Sequence, residues 1–299
     1  MDNAGYRQKF IDYLRDEKKM AKNSLEAYGR DVGEFMTFAE GRGNDNVDRL
    51  TGTEVVAYLH SLKSMGRSSS TVNRKLASVR AFYNYLMREG VVGSNPATNI
   101  KSPKIEKKTV DYLEVADMEK LLATPDDSFK GKRDRAILEV MYATGMRVSE
   151  IIETDVIDVN LRMGFITCGI SNMAKARIVP LGRPARKALV DYIDNGRDAL
   201  IKGNSEMEAL FVNVNGERIT RQGIWKMLRE YGTKVGLDRK LTPNIIRNSF
   251  AVHMLQNGAD LKSLQEMMGH EDISATQVYL SATKNRIKDV YDKSHPRAK

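Results

Sequence analysis

A single cysteine in 299 residues, Cys168, excludes a disulfide framework within one chain and makes a reducing compartment the natural expectation. No stretch approaches the roughly 18 to 20 consecutive apolar residues that span a bilayer. The opening segment MDNAGYRQKF is polar where a secretory signal would be apolar, so a cytoplasmic protein without a membrane partner is expected. There is no evident internal repeat or low-complexity tract. The length suffices for two ordinary domains that each bury a core without a metal or disulfide staple.

Acidic residues are also scarce in one place. Residues 51–110 carry 10 basic and 3 acidic side chains, whereas residues 1–50 carry 9 and 10, and residues 111–299 carry 29 and 26. Most of the formal charge of +9 is therefore local. A concentrated basic stripe neutralises phosphates and releases counterions, which gives sequence-independent affinity for nucleic acid. By itself it reads more naturally as a solvated basic surface.

The first ninety residues read as short helices. Asn23 or Ser24 is the expected cap of a helix through Tyr28, Val32, Phe35 and Phe38, which stops at Gly41-Arg42-Gly43. Thr51 and Glu54 have the spacing of a capping box. Ser68 to Thr71 opens a last helix whose apolar line is Val72, Leu76, Val79, Phe82, Tyr83 and Leu86. That line leaves Arg67, Arg74, Lys75, Arg80 and Arg88 for other faces. Pro96, Pro103, Lys101, Lys104, Lys107 and Lys108 mark a basic linker over 93–110. Beyond it, Gly164 to Cys168 and Arg177 to Leu181 read as a hairpin with a long loop among helices. The expected class is mainly α: a helical bundle over 1–92, then a mixed α+β domain over 111–299 with a small hairpin or sheet.

Four short patterns carry chemistry: TGMRVSE from Thr144, KARIVPL from Lys175, LTPNIIR from Leu241, and MGH from Met268 followed by Tyr279. Thr242 is the expected N-cap of a helix with Pro243 at its first position. Asn244 and Arg247 then share a face near the positive helix end, which suits an anion. Arginines present rigid donor forks to phosphate oxygens. A tyrosine can attack phosphorus and store the bond as a phosphotyrosine. Such a set needs no metal or organic cofactor. Taken singly, Tyr279, Arg147, Arg247 and His270 read more naturally as packed or ion-paired side chains; only their joint order and spacing points to catalysis.

The string TGMRVSE resembles the first arginine box of the tyrosine recombinases of the Xer and phage-integrase type. NGADLKSLQEMMGHEDISATQVY resembles the box with the family's second histidine and nucleophile, and the nine-residue step from His270 to Tyr279 fits it. The resemblance covers nearly the whole chain and implies a SAM-like core-binding domain joined to a catalytic domain of the DNA breaking-rejoining fold. It implies that Arg147 and Arg247 clamp the scissile phosphate of double-stranded DNA at a specific site, that His270 assists, and that Tyr279 attacks. It further implies a tetramer on DNA, with or without a second recombinase, in which residues 284–299 dock on a neighbour. Arg67, Arg74, Lys75 and Arg80, with Arg177 of the hairpin, are the candidate DNA-contacting side chains.

Two positions depart from the family pattern. Asn244 stands where the family has histidine or lysine, and Asn172 falls on the turn lysine. Lys175 is then the candidate general acid, or merely a backbone contact. General acid or base groups contribute about 10² to 10⁴ in rate, so reduced activity is one consequence of these changes. A DNA-binding relative that acts as an architectural or partner subunit, and an unrelated helical regulator, are the alternative readings.

Overall fold

Helix caps set the frame of the first part of the chain. The computed structural model describes residues 2–104, 110–169, 176–237 and 241–283, and the chain divides into two units, Met1–Lys107 and Lys108–Lys299. In the first, α1 (Asn3–Asp16), α2 (Lys22–Glu40), α3 (Gly52–Ser64) and α4 (Ser69–Arg88) pack around Phe10, Val32, Phe35, Leu76 and Phe82, all fully buried. Thr51 and Glu54 form the expected capping box, with the Thr51 amide donating to Glu54 Oε2 at 2.9 Å. Ser68 caps α4 by accepting from the Thr71 amide at 3.3 Å. The start of α2 differs from expectation. It begins at Lys22 after Ala21, so Asn23 and Ser24 lie inside its first turn and cap nothing.

Several basic side chains of α4 do not serve an open face. Lys75 is 3% exposed and donates to Asp31 at 3.1 Å and Glu34 at 2.6 Å. Arg74 is half-exposed but is also tied to Asp31, which is fully buried and further held by Ser78 at 2.9 Å. Burial opposes ionisation of Asp31, but the bonds from Arg74, Lys75 and Ser78 outweigh it and hold its carboxyl below the ordinary range. Arg80 donates to the carbonyls of Ala97 (2.9 Å) and Ile100, and Arg88 pairs with Glu17 at 2.6 Å. Only Arg67 among the five stays exposed without a side-chain partner among the described residues. The stretch after α4 is held to it as well. Asn73 donates to the Pro103 carbonyl at 2.9 Å, Asn95 donates to the Arg80 carbonyl at 3.1 Å, and Ala97 is fully buried.

The second unit has helices α5 (Val115–Ala123), α6 (Phe129–Thr144), α7 (Val148–Glu153), α8 (Arg183–Tyr192), α9 (Asp198–Ile201), α10 (Arg221–Lys234), α11 (Pro243–Gln256), α12 (Leu261–Met268) and α13 (Ser274–Gln277). Its sheet is antiparallel, ordered β1 (Val159–Asn160), β2 (Phe165–Cys168), β3 (Arg177–Pro180). The register Ile166↔Val179 and Cys168↔Arg177 turns Ile166, Cys168 and Val179 inward. This is the hairpin read from the sequence, with one short strand added. Asn172 and Lys175 of its turn lie outside the described residues, as does the segment 284–299. Among the described residues, no helix is long and apolar enough to cross a membrane.

Candidate active site

The site assembles at three chain reversals. The first is the end of α6, where Gly145 takes a left-handed conformation (φ 59°). A Cβ there would run into the Phe250 ring, so both the backbone conformation and the close approach call for glycine. This turn delivers Arg147 at the start of α7. The second reversal is the start of α11, where Thr242 accepts from the Ile245 amide at 3.1 Å and Pro243 opens the helix, as expected. One turn later comes Arg247. The third is Gly269 (φ 62°), which ends α12 and presents His270. Tyr279 follows α13 on the 3₁₀ turn Val278–Thr283.

Four of the expected residues converge here. Arg247, 7% exposed, donates to the carbonyls of Gly145 and Met268 (2.7 Å) and to His270 Nε2 at 2.9 Å. A guanidinium has no acceptor, so His270 Nε2 must accept and its proton sits on Nδ1, which donates to Thr276 Oγ1 at 2.9 Å. Arg147 donates to the Gly269 carbonyl at 3.1 Å, and its side chain is 44% exposed. The Tyr279 hydroxyl lies beside both arginines and donates to Asn248 Oδ1 at 3.2 Å. Asn244, by contrast, is exposed and makes no side-chain hydrogen bond among the described residues.

Arg177 has a role that the sequence did not reveal. It donates twice to Glu150, at 2.8 and 3.0 Å, and once to the Met267 carbonyl at 2.6 Å, and its side chain is only 10% exposed. It is therefore a buttress of the site. Glu150 in turn accepts from the Arg147 amide at 2.7 Å and from its guanidinium at 3.2 Å. Burial opposes ionisation of Glu150, but Arg177 and the Arg147 amide prevail and its carboxyl lies below the usual range. Glu150 thus fixes Arg147, and the site stays positive because three arginines, Arg147, Arg177 and Arg247, face this one carboxylate.

The resulting field is strongly positive. Burial first, then Arg147, pushes Arg247 down to about 10. Burial, then Arg247, Arg147 and Arg177, pushes His270 down to about 4. Burial raises the Tyr279 phenol while Arg247 and Arg147 pull it the other way. Bringing an anion to the arginines relieves their repulsion, and donors already aimed at that place stabilise charge developing on a phosphate. Because His270 titrates lower folded than unfolded, the unfolded chain holds more protons between about pH 4 and 6.5. Stability from this group is therefore lost as pH falls through that window. In urea titrations, His270→Gln is expected to lose less stability than the unmodified protein between pH 7 and pH 5; equal losses would contradict the assignment. His253, also lowered by burial, adds the same sign in both proteins.

Residues 111–286 match the Phage integrase family, and residues 8–90 match its N-terminal SAM-like domain. The chain belongs to the phage integrase family. It is 41% identical over 290 residues to the tyrosine recombinase XerD of Oceanobacillus iheyensis, covering 97% of each chain. It is 41% identical over 293 residues to that of Staphylococcus epidermidis, covering 97% of this chain and 98% of the relative. In fold it resembles the XerH site-specific recombinase bound to a palindromic difH substrate after cleavage, with TM-score 0.77 and 20% identity over 95% of this chain and 83% of that one. It also resembles a lambda integrase dimer bound to a core site, with TM-score 0.69 and 15% identity over 93% and 95%.

Beyond the arginines and tyrosine, the site of this integrase-family chain relies on Glu150, Thr276 and Asn248. Only Glu150 left a trace in the sequence, through its N3 spacing from Arg147. A second group was also missed. Along α10, Arg221, Gln222, Trp225, Lys226 and Arg229 share an exposed face, and the described residues give their side chains no hydrogen bond or ion pair. Their spacing of one and four is visible in the sequence, but only after Ile224, Met227 and Leu228 are known to face inward.

Proposed function

We propose that this chain carries out site-specific recombination of double-stranded DNA by cutting and rejoining strands through a phosphotyrosine. The observation that carries the reading is the convergence of Arg147, Arg247, His270 and Tyr279 into one positive cluster. The two guanidinium groups hold the nonbridging oxygens of the scissile phosphate, and the neutral imidazole steadies Arg247. Tyr279 Oη bonds to phosphorus as the bond to the 5′ oxygen breaks. The phenolic proton passes to solvent water, and the leaving 5′ oxygen takes a proton from the ammonium of Lys175. The exposed face of α10, rich in hydrogen-bond donors, reads base edges in the major groove, while Arg67 contributes phosphate contacts. Asn244 and Asn172 leave the reaction slow rather than absent, because the clamp and nucleophile are intact.

The working assembly is a tetramer on two duplexes. In the second unit, α5, α6, α8 and α11 line an open groove of about 620 Å³, walled by Leu122, Ala143, Pro184, Phe250 and Met254 with Glu119 and Glu139. The segment 284–299 combines Ile287, Val290 and Tyr291 with seven lysines, arginines and histidines. It matches that groove in charge and apolar character, so a neighbour's segment seats there.

The test is covalent trapping. A site is selected from a pool of random duplexes by binding to the protein, then synthesised with a nick so that cleavage releases a short fragment and cannot reverse. A covalent band on a denaturing gel is expected from the unmodified protein. Lys175→Ala is expected to lower its rate of formation about 10² or more. Tight binding with no band would leave a DNA-binding subunit in place of a recombinase.

A further inference from the structure

Resting on that function, the geometry around Tyr279 assigns a role to a residue that the reaction scheme does not use. Asn248, one residue after Arg247 on α11, accepts from the Tyr279 hydroxyl through Oδ1 at 3.2 Å and donates through Nδ2 to the main-chain carbonyl of Asp111 at 2.9 Å. A carbonyl only accepts, so only one amide orientation satisfies both contacts, and Oδ1 must face the phenol. The next residue repeats the tie: Ser249 Oγ accepts from the Leu113 amide at 2.8 Å. Residues 111–113 are thus a strap laid on α11, and Val110 and Tyr112 pack against the apolar cluster that holds Tyr279.

We infer that Asn248 is the positioning residue of the nucleophile: its amide, keyed to the Asp111 carbonyl, holds the Tyr279 hydroxyl as a donor and leaves the oxygen lone pairs free toward the arginines. The amide takes no proton near neutral pH, so it orients the phenol without acting as its base. A hydroxyl with a fixed rotor starts each turnover aligned, whereas a free one must find its line of attack. Misplacing a reacting atom by about 1 Å costs about 10²-fold.

The experiment is single-turnover cleavage of the selected, nicked duplex by the unmodified protein, Asn248→Ala and Asn248→His, with DNA affinity and thermal midpoint measured alongside. Asn248→Ala is expected to cleave about 10- to 100-fold more slowly, with affinity unchanged and the midpoint lowered by only a few degrees for the two part-exposed hydrogen bonds it gives up. Histidine offers one acceptor and one donor at similar separation, so Asn248→His is expected to recover most of the rate at pH 8. Its imidazolium cannot accept from the phenol, so that recovery is expected to fade as pH drops through about 6.5, while the unmodified profile shows no such step. A merely structural asparagine would not create that step. Equal rates for Asn248→Ala and the unmodified protein would overturn the assignment alone. If Asn248→Ala fails to fold, a histidine variant with the unmodified pH profile would overturn it. No covalent complex from the unmodified protein would remove the proposed function and this role with it.

Discussion

Tyr279→Phe is expected to bind selected site DNA as tightly as the unmodified protein and to form no covalent complex. The substitution removes one oxygen from a side chain that is 5% exposed, and the ring still fills the cluster of Phe250, Val252, Leu264 and Met268. The acceptor of that hydroxyl, Asn248 Oδ1, keeps access to water because Asn248 is half-buried. The fold should therefore tolerate the change, at a cost of about 1 kcal/mol for one lost hydrogen bond. Chemistry should not tolerate it, because the hydroxyl that lies beside Arg147 and Arg247 is the one removed. Trapping assays paired with anisotropy titrations check both halves; a persisting covalent band would show that the nucleophile is elsewhere.

Asn244→His is expected to raise the single-turnover cleavage rate by about 10²-fold, the lower end of what a general acid or base contributes. Asn244 lies one turn before Arg247 on the same face of α11, is exposed, and has no side-chain partner among the described residues to lose. An amide can donate a hydrogen bond to the phosphate but cannot carry a proton; an imidazole does both. Members of one site are not additive, so the gain depends on Lys175 and is expected to shrink in an Asn244→His, Lys175→Ala double variant. Rates measured from pH 5.5 to 8.5 should follow the new imidazole. An unchanged rate would mean that Asn244 stands outside the reaction path.

The sequence made much of this site legible because its geometry is local. Thr242 and Pro243 announce the helix that carries Arg247, Gly269 announces the turn that presents His270, and the hairpin follows from two β-prone runs. What it hid are partnerships across long separations. Lys75 reads as one more cation of a basic helix, although it falls three residues after Val72 and four before Val79, on the stripe that faces the core. The acid that makes its burial tolerable, Asp31, is 44 residues away. Arg177 reads as a DNA contact because its partner, Glu150, sits on another element 27 residues earlier. Asn248 is an ordinary polar residue until folding brings it to Tyr279, 31 residues later. In each case the missing knowledge is which opposite partner burial selects.

The central claim, a metal-independent attack by Tyr279, is tested most directly by trapping the covalent complex on the nicked duplex in excess EDTA, digesting it with trypsin and nuclease, and sequencing the nucleotide-bearing peptide by mass spectrometry. The peptide from Ser263 to Lys284 contains a single tyrosine, Tyr279. The expected result is that peptide, with a 3′-linked nucleotide phosphate on Tyr279, in a yield that EDTA does not lower. An adduct on another residue, or one that forms only when a divalent ion is restored, would contradict the account.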